Sequence, residues 1–294
     1  MPSLPNSAIP AFLARLSSQL PSTLPSSVHF LVPLLTATTL GQGPGWLPPT
    51  LSHAFRSLPP SPAPAPAPPE PFDPAEDASV HPRRFAVRQA KEALVKSSIL
   101  VGVPKVIETL LELQNCVDEG DRSAAFVRQA LDPASSASRA AAGETTFAER
   151  ARAGRLGLGS IYQDNLLPIF DLMRHGGLED VRFYSECITY GTFLTPHSTL
   201  PPSSPSPDPF ATDARLLSVL TLSCLVPQRT HREILWHLRG ALRRGLTRGE
   251  VEGVQCAIES VCEALGVENV GDGMPRAADI EVQKEEEADG RQRP

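Results

Sequence analysis

The chain of 294 residues has the length of one large or two ordinary domains, and its 41% apolar content is enough to bury a core and too high for a disordered protein. Aromatics at 5% argue against a lectin, a base-stacking module or a β-sandwich, and a net charge of −6 excludes the broad basic footprint of a nucleic-acid partner. Proline, at 31 residues about twice its average usage, is clustered, so folded blocks separated by Pro-rich connectors are expected.

The first helical block covers residues 8 to 58. Ile9, Phe12, Leu13 and Leu16 recur at helical spacing, and Val28 to Leu40 is a second, more buried stretch. That stretch is too short to cross a membrane and contains Pro33, so no membrane partner is expected. Residues 1 to 69 lack Asp and Glu and carry only Arg15 and Arg56 as cations. A mitochondrial transit segment is also acid-free and Ser-rich, but richer in Arg. Whether residues 1 to 58 are such a segment or a folded block stays open. Seven prolines in the eleven residues from Pro59 to Pro69 make a spacer, with the insert running over 59–82.

From Arg84 the helical period returns through Phe85, Ala90, Leu94 and Val101. Gly102 stops that helix and Pro104 opens the next, whose apolar face is Val106, Ile107, Leu110, Leu111 and Leu113. Residues 117–155 are Ala-, Ser- and Arg-rich and read as a linker or solvated helix, with Gly154, Gly157 and Gly159 a flexible entry to the helix at Ile161. A second block spans 156–270. It holds helices from Ile161 to His175, Leu178 to Tyr190, Asp213 to Leu225 and His231 to Arg244. Thr247 and Glu250 then form a capping box ahead of Val251, Val254, Ile258, Val261 and Leu265. Residues 271–294 read as an acidic, disordered tail. No alternating β-branched segment occurs, so the fold class is all-α.

The order of apolar helix, His-bearing helix and Gly-stopped helix occurs twice. Leu51-Ser-His53 parallels Leu235-Trp-His237, and Leu94 to Gly102 parallels Ile258 to Gly266. An internal duplication is therefore expected, with 1–116 a degenerate first copy. Cys116, Cys187, Cys224, Cys256 and Cys262 are odd in number and contain no Cys-x-x-Cys, so they read as buried, reduced thiols of an intracellular protein. His231 and His237, six apart, fall on different helix faces and make no metal site.

The segment from Tyr190 through Leu200 to Asp213-Ala-Arg215-Leu-Leu, and Glu233-x-x-x-His237-Leu-Arg-Gly-Ala-Leu followed by Gly245-Leu-Thr-Arg-Gly-Glu250-Val, resemble the carboxymuconolactone decarboxylase-like proteins. The alkylhydroperoxidase D-like (AhpD-like) proteins share their fold. The likeness covers 156 to 270 well and 8 to 116 in part. It implies an AhpD-like all-α homo-oligomer without a cofactor and a small-molecule site at the helix bearing His237. In the peroxidase branch two cysteines stand seven and four residues before that His. Here those positions are Thr230 and Glu233, so thiol peroxidase chemistry has no nucleophile. Leu216 stands where the decarboxylase branch carries Glu.

On this likeness His237 and Glu233, four apart on a helix, are the candidate proton-transfer pair, lyase-type if active. Arg215 is the candidate anchor for an anionic substrate, with Tyr190 and Trp236 beside it. The other open reading is a non-catalytic structural or assembly protein that keeps the fold. The family includes peroxisomal and mitochondrial proteins, and the chain ends Gly-Arg-Gln-Arg-Pro, not in a Ser-Lys-Leu signal. Cytoplasm and organelle matrix stay open.

Overall fold

The computed structural model describes residues 3–60, 78–123, 127–128, 147–195, 208–211 and 213–280. Every regular element among the described residues is a helix. The first three are α1 (Ile9–Gln19), α2 (Val28–Thr39) and α3 (Gly43–Phe55). Helix α4 (Pro82–Val101) begins on its proline and ends at Gly102, whose φ of 97° suits a residue without Cβ. Helix α5 (Val103–Cys116) follows at once, with Pro104 in its first turn. Most of the Pro-rich insert and residues 129–146 lie outside the described residues.

Then come α6 (Phe147–Tyr162), α7 (Leu166–His175) and α8 (Glu179–Phe183). The spacing predicts an α-helix from Leu178 to Tyr190, but α8 turns into a π-helix over Tyr184–Leu194. Its wider turns show in the bond from Thr195 N–H to the Tyr190 carbonyl at 3.0 Å. The crossing with α6 accompanies this change. A Cβ on Gly154 would fall 1.9 Å from the Glu186 carbonyl oxygen, and one on Gly191 would fall 2.4 Å from that of Arg150. Gly154, Gly157 and Gly159 are thus interior to α6, not a flexible entry to a helix. Gly154 lets the two backbones touch, and Gly157 makes room for the side chains of Thr195 and Tyr190. Glu186 is buried at the crossing and is held by Arg155 Nε and Arg182 Nη1, each at 2.5 Å.

The last three helices are α9 (Ala214–Leu225), α10 (His231–Arg243) and α11 (Arg248–Ala264). Asp213 caps α9 by accepting from Arg215 N–H at 2.9 Å. The capping box on α11 forms in both directions: Glu250 N–H to Thr247 Oγ1 at 3.2 Å and Thr247 N–H to Glu250 Oε2 at 2.7 Å. Glu250 also accepts from Thr23 Oγ1 at 2.6 Å, tying the cap to the chain ahead of α2.

Helices α2 and α9 are apolar on nearly all sides and lie against each other at the centre of one core. The packing is reciprocal: α11 leans on α2, and α4 leans on α9. Residues 271–280, expected as the start of a solvated tail, pack on α11. Ala277 and Ile280 are buried, Gln255 Nε2 donates to the Pro275 carbonyl at 2.9 Å, and Arg276 pairs with Glu252 and Glu259. The Lys284–Glu287 run lies outside the described residues. Of the five cysteines, Cys187, Cys224 and Cys262 are buried and Cys116 is half-buried. Cys256 is exposed on α11 beside Glu252 and Arg276, where a helix position faces out.

Candidate functional site

His237 sits on the inward face of α10 with Ile234, Leu238 and Ala241, and only 6% of its surface is exposed. Its Nδ1 lies 3.1 Å from Thr221 Oγ1 on α9. That hydroxyl spends its own proton on the Ser218 carbonyl at 3.1 Å, so it accepts from Nδ1–H. Nε2 is then the acceptor and faces the Tyr190 hydroxyl at 3.5 Å. The bonds run in one direction, from Tyr190 through His237 and Thr221 to a carbonyl. Burial, helped by the Arg244 charge, pushes the imidazole down to about 3, so the ring is neutral at physiological pH. Burial raises the Tyr190 phenol, which stays a proton donor.

Arg244 closes this cluster from the end of α10. Its Nη2 donates to Ser160 Oγ at 3.0 Å and its Nη1 to Ser218 Oγ at 3.4 Å. Desolvation is the largest influence on its proton affinity, and Tyr190 is the acidic group it feels. Among the described residues no carboxylate pairs with Arg244. A desolvated guanidinium bonded only to hydroxyls is energetically incomplete.

The structure brings Tyr190 and His237 together across 47 residues of sequence. It does not bring Glu233 to them. Glu233 is exposed on the first turn of α10, and its charge is felt by Tyr162, whose phenol is raised to about 12 by burial first and Glu233 second. The expected Glu233–His237 pair is not formed. The ring turns into the core, where Thr221 and Tyr190 satisfy it, whereas the carboxylate keeps its hydration. Nor does Arg215 point to the site. It clasps Asp213, with Nη2 to Oδ2 at 2.8 Å and Nε to Oδ1 at 3.0 Å, in the first turn of α9. Thr221 lies six residues on, about 9 Å along the helix. Trp236 packs on Tyr162 with ring centroids 5.2 Å apart, and the Arg239 guanidinium lies over its indole.

Sequence reasoning missed Thr221, Ser218 and Arg244. The available signal was Ser218 and Thr221 three apart inside an apolar helix, where hydroxyls need partners. His53, matched to His237 in the internal comparison, sits elsewhere in its helix and bonds Ser17 Oγ through Nε2 at 2.8 Å. Cys224 is held as a thiol, pushed up to about 12 by burial. Among the described residues no three His, Cys, Asp or Glu side chains converge as metal ligands, and no helix is long and apolar enough to cross a membrane. No family model, curated protein or solved structure matches the chain.

Proposed function

We propose that the chain is a carboxymuconolactone decarboxylase-like, AhpD-like protein of duplicated helices that binds a small organic anion at Arg244, beside His237 and Tyr190. The observation that carries the reading is the desolvated Arg244 with no carboxylate partner among the described residues. A bound carboxylate would supply its missing charge. It would also offset the Arg244 charge, the lesser influence on His237 after burial, so the imidazole gains some basicity when the anion is present. Tyr190, His237 and Thr221 then form a proton relay, with Glu233 outside it. Cysteine chemistry plays no part.

The duplication is supported by the reciprocal packing of α2 with α11 and of α9 with α4. It is supported too by matched reversals. Gly41 and Arg229, at φ 76° and 54°, each stand two residues before the next helix, and Gly102 and Gly266, at 97° and 82°, follow the third helices.

Titration with small mono- and dicarboxylates, followed through the His237 ring signals in NMR, tests the reading. Saturable binding with a rise in the imidazole pKa is expected. Arg244→Met should cost about 1.5–3 kcal/mol of affinity, or roughly 10- to 100-fold. Undiminished binding in that variant, or none in the native chain, removes it. The second reading, a fold-retaining protein without chemistry, is favoured by the exposure of Glu233 and the clasp of Arg215 by Asp213. It predicts no ligand response at His237.

In either reading the protein is a homo-oligomer. Leu167 and Leu172 of α7 are 72% and 69% exposed, and Leu156, Leu178, Val181 and Phe183 add to the exposed apolar groups of α6–α8. Arg174, Asp171, Glu179 and Arg182 mix both charges around them, which suits a self-complementary contact. Leu167→Asp should shift the species seen by sedimentation to monomer with unchanged helix content. A native chain already monomeric at micromolar concentration counts against the oligomer.

A further inference from the structure

Arginine gathers where α10 gives way to α11. Arg239, Arg243, Arg244 and Arg248 put four cations into ten residues, with no Asp or Glu between them. Their bonding partners among the described residues are all neutral. Arg239 lies over the Trp236 ring, Arg243 donates to the Ile161 carbonyl, and Arg244 donates to the hydroxyls of Ser160 and Ser218. Arg248 donates to the carbonyls of Ala277 and Ile280. Burial first and the Arg239 charge second hold the Arg243 guanidinium below its ordinary value, and Asp164 pulls the other way. The segment that follows Ile280 has the opposite character. Glu281, Glu285, Glu286, Glu287 and Asp289 place five carboxylates in nine residues.

We propose that residues 281–289 dock on Arg239, Arg243 and Arg244 and so act as an internal competitor for the anion held at Arg244. Position favours this as much as charge does. Arg248 holds the Ile280 carbonyl, so the root of the segment is fixed at the turn between α10 and α11. Arg248 stands four residues from Arg244, a chain distance of at most about 14 Å. The seven residues from 281 to 287 span up to about 23 Å when extended, enough to bring the Glu285–Glu287 carboxylates to the end of α10. Arg239, Arg243 and Arg244 are each half-buried, with surface left for a partner. Carboxylate and guanidinium pair through charge-assisted bonds. A tethered carboxylate needs little intrinsic affinity, because the tether supplies an effective concentration in the millimolar range. The docking stands on charge and tether alone; the competition rests on the reading of Arg244 as an anion site.

The test compares the native full-length chain with one carrying Glu285→Gln, Glu286→Gln and Glu287→Gln, through the arginine Nε–H signals in NMR. At low ionic strength the Arg243 and Arg244 signals should differ between the two proteins, and near 1 M salt, where the screening length is about 3 Å, they should coincide. A synthetic peptide of residues 281–294 added to the triple variant should move those signals back saturably, and the same peptide with the three Gln should not. Malonate, followed at the His237 ring, should bind the triple variant roughly three- to tenfold more tightly than the native chain. Coincident arginine signals at low salt, changes confined to other arginines, or no saturable response to the acidic peptide overturn the docking. So does a difference that grows with protein concentration, which assigns the segment to a second copy. Equal malonate affinity in the two proteins overturns the competition. Malonate bound by neither removes Arg244 as an anion site, and the arginine signals still decide the docking.

Discussion

A Lys96→Met protein is expected to lose about 3–5 kcal/mol of stability, the usual cost of removing one member of a buried ion network. Lys96 is fully buried on α4. Its ammonium donates to Asp208 Oδ2 at 2.7 Å and to the Phe193 carbonyl at 2.9 Å, and lies 3.4 Å from Glu92 Oε1. Arg128 completes the network with two bonds to Glu92, at 2.9 and 3.2 Å, and one to the Thr192 carbonyl at 3.0 Å. Methionine matches the stem and removes the charge, so the buried Asp208 loses its bond from the Lys96 ammonium. The same bonds fasten the end of the π-helix, three residues from Tyr190, so Tyr190 should loosen from His237 as well. Urea titration reads the first effect as a lower midpoint with little change in slope. A loss below about 1 kcal/mol would mean that the network behaves as an exposed pair.

Acidification should destabilise the protein through His237. The imidazole has a folded value of about 3 and an ordinary unfolded value of 6.5. Between those values the unfolded chain binds a proton that the native ring refuses. The stabilisation is therefore complete above pH 6.5 and falls as pH drops, by about 1.4 kcal/mol per unit. By pH 5 the loss is about 2 kcal/mol, and it approaches 5 kcal/mol near pH 3. His29 and His53 are lowered too, by burial first, and add losses of the same sign. Comparing the native chain with His237→Gln at pH 7.5, 6 and 5 isolates the ring. The gap between them should narrow as pH falls, and a constant gap would show that the ring takes up its proton without leaving the core.

Much of the helical skeleton was legible because its signals are local. Gly102 and Gly266 stop helices through their own backbone freedom, and Pro104 starts one with its fixed φ. Thr247 and Glu250 cap one another across three residues. Apolar period alone placed α2 and α9 in the core. The site was legible only in part. Tyr190 and His237 were picked out through a resemblance, and they meet.

What the pattern could not decide was every contact whose two halves lie far apart in the chain. Spacing of four put Glu233 near the face of His237, but which of the two turns inward depends on the neighbours offered by α9 and the π-helix. Gly154 and Gly191 are 37 positions apart, and only the crossing of their helices explains both. Lys96 and Asp208 are 112 apart, and as isolated letters each reads as a solvated charge. Periodicity encodes the side of a helix, because that is set by neighbours along the chain. The partner on that side is chosen by packing and desolvation, which act only once distant segments have met.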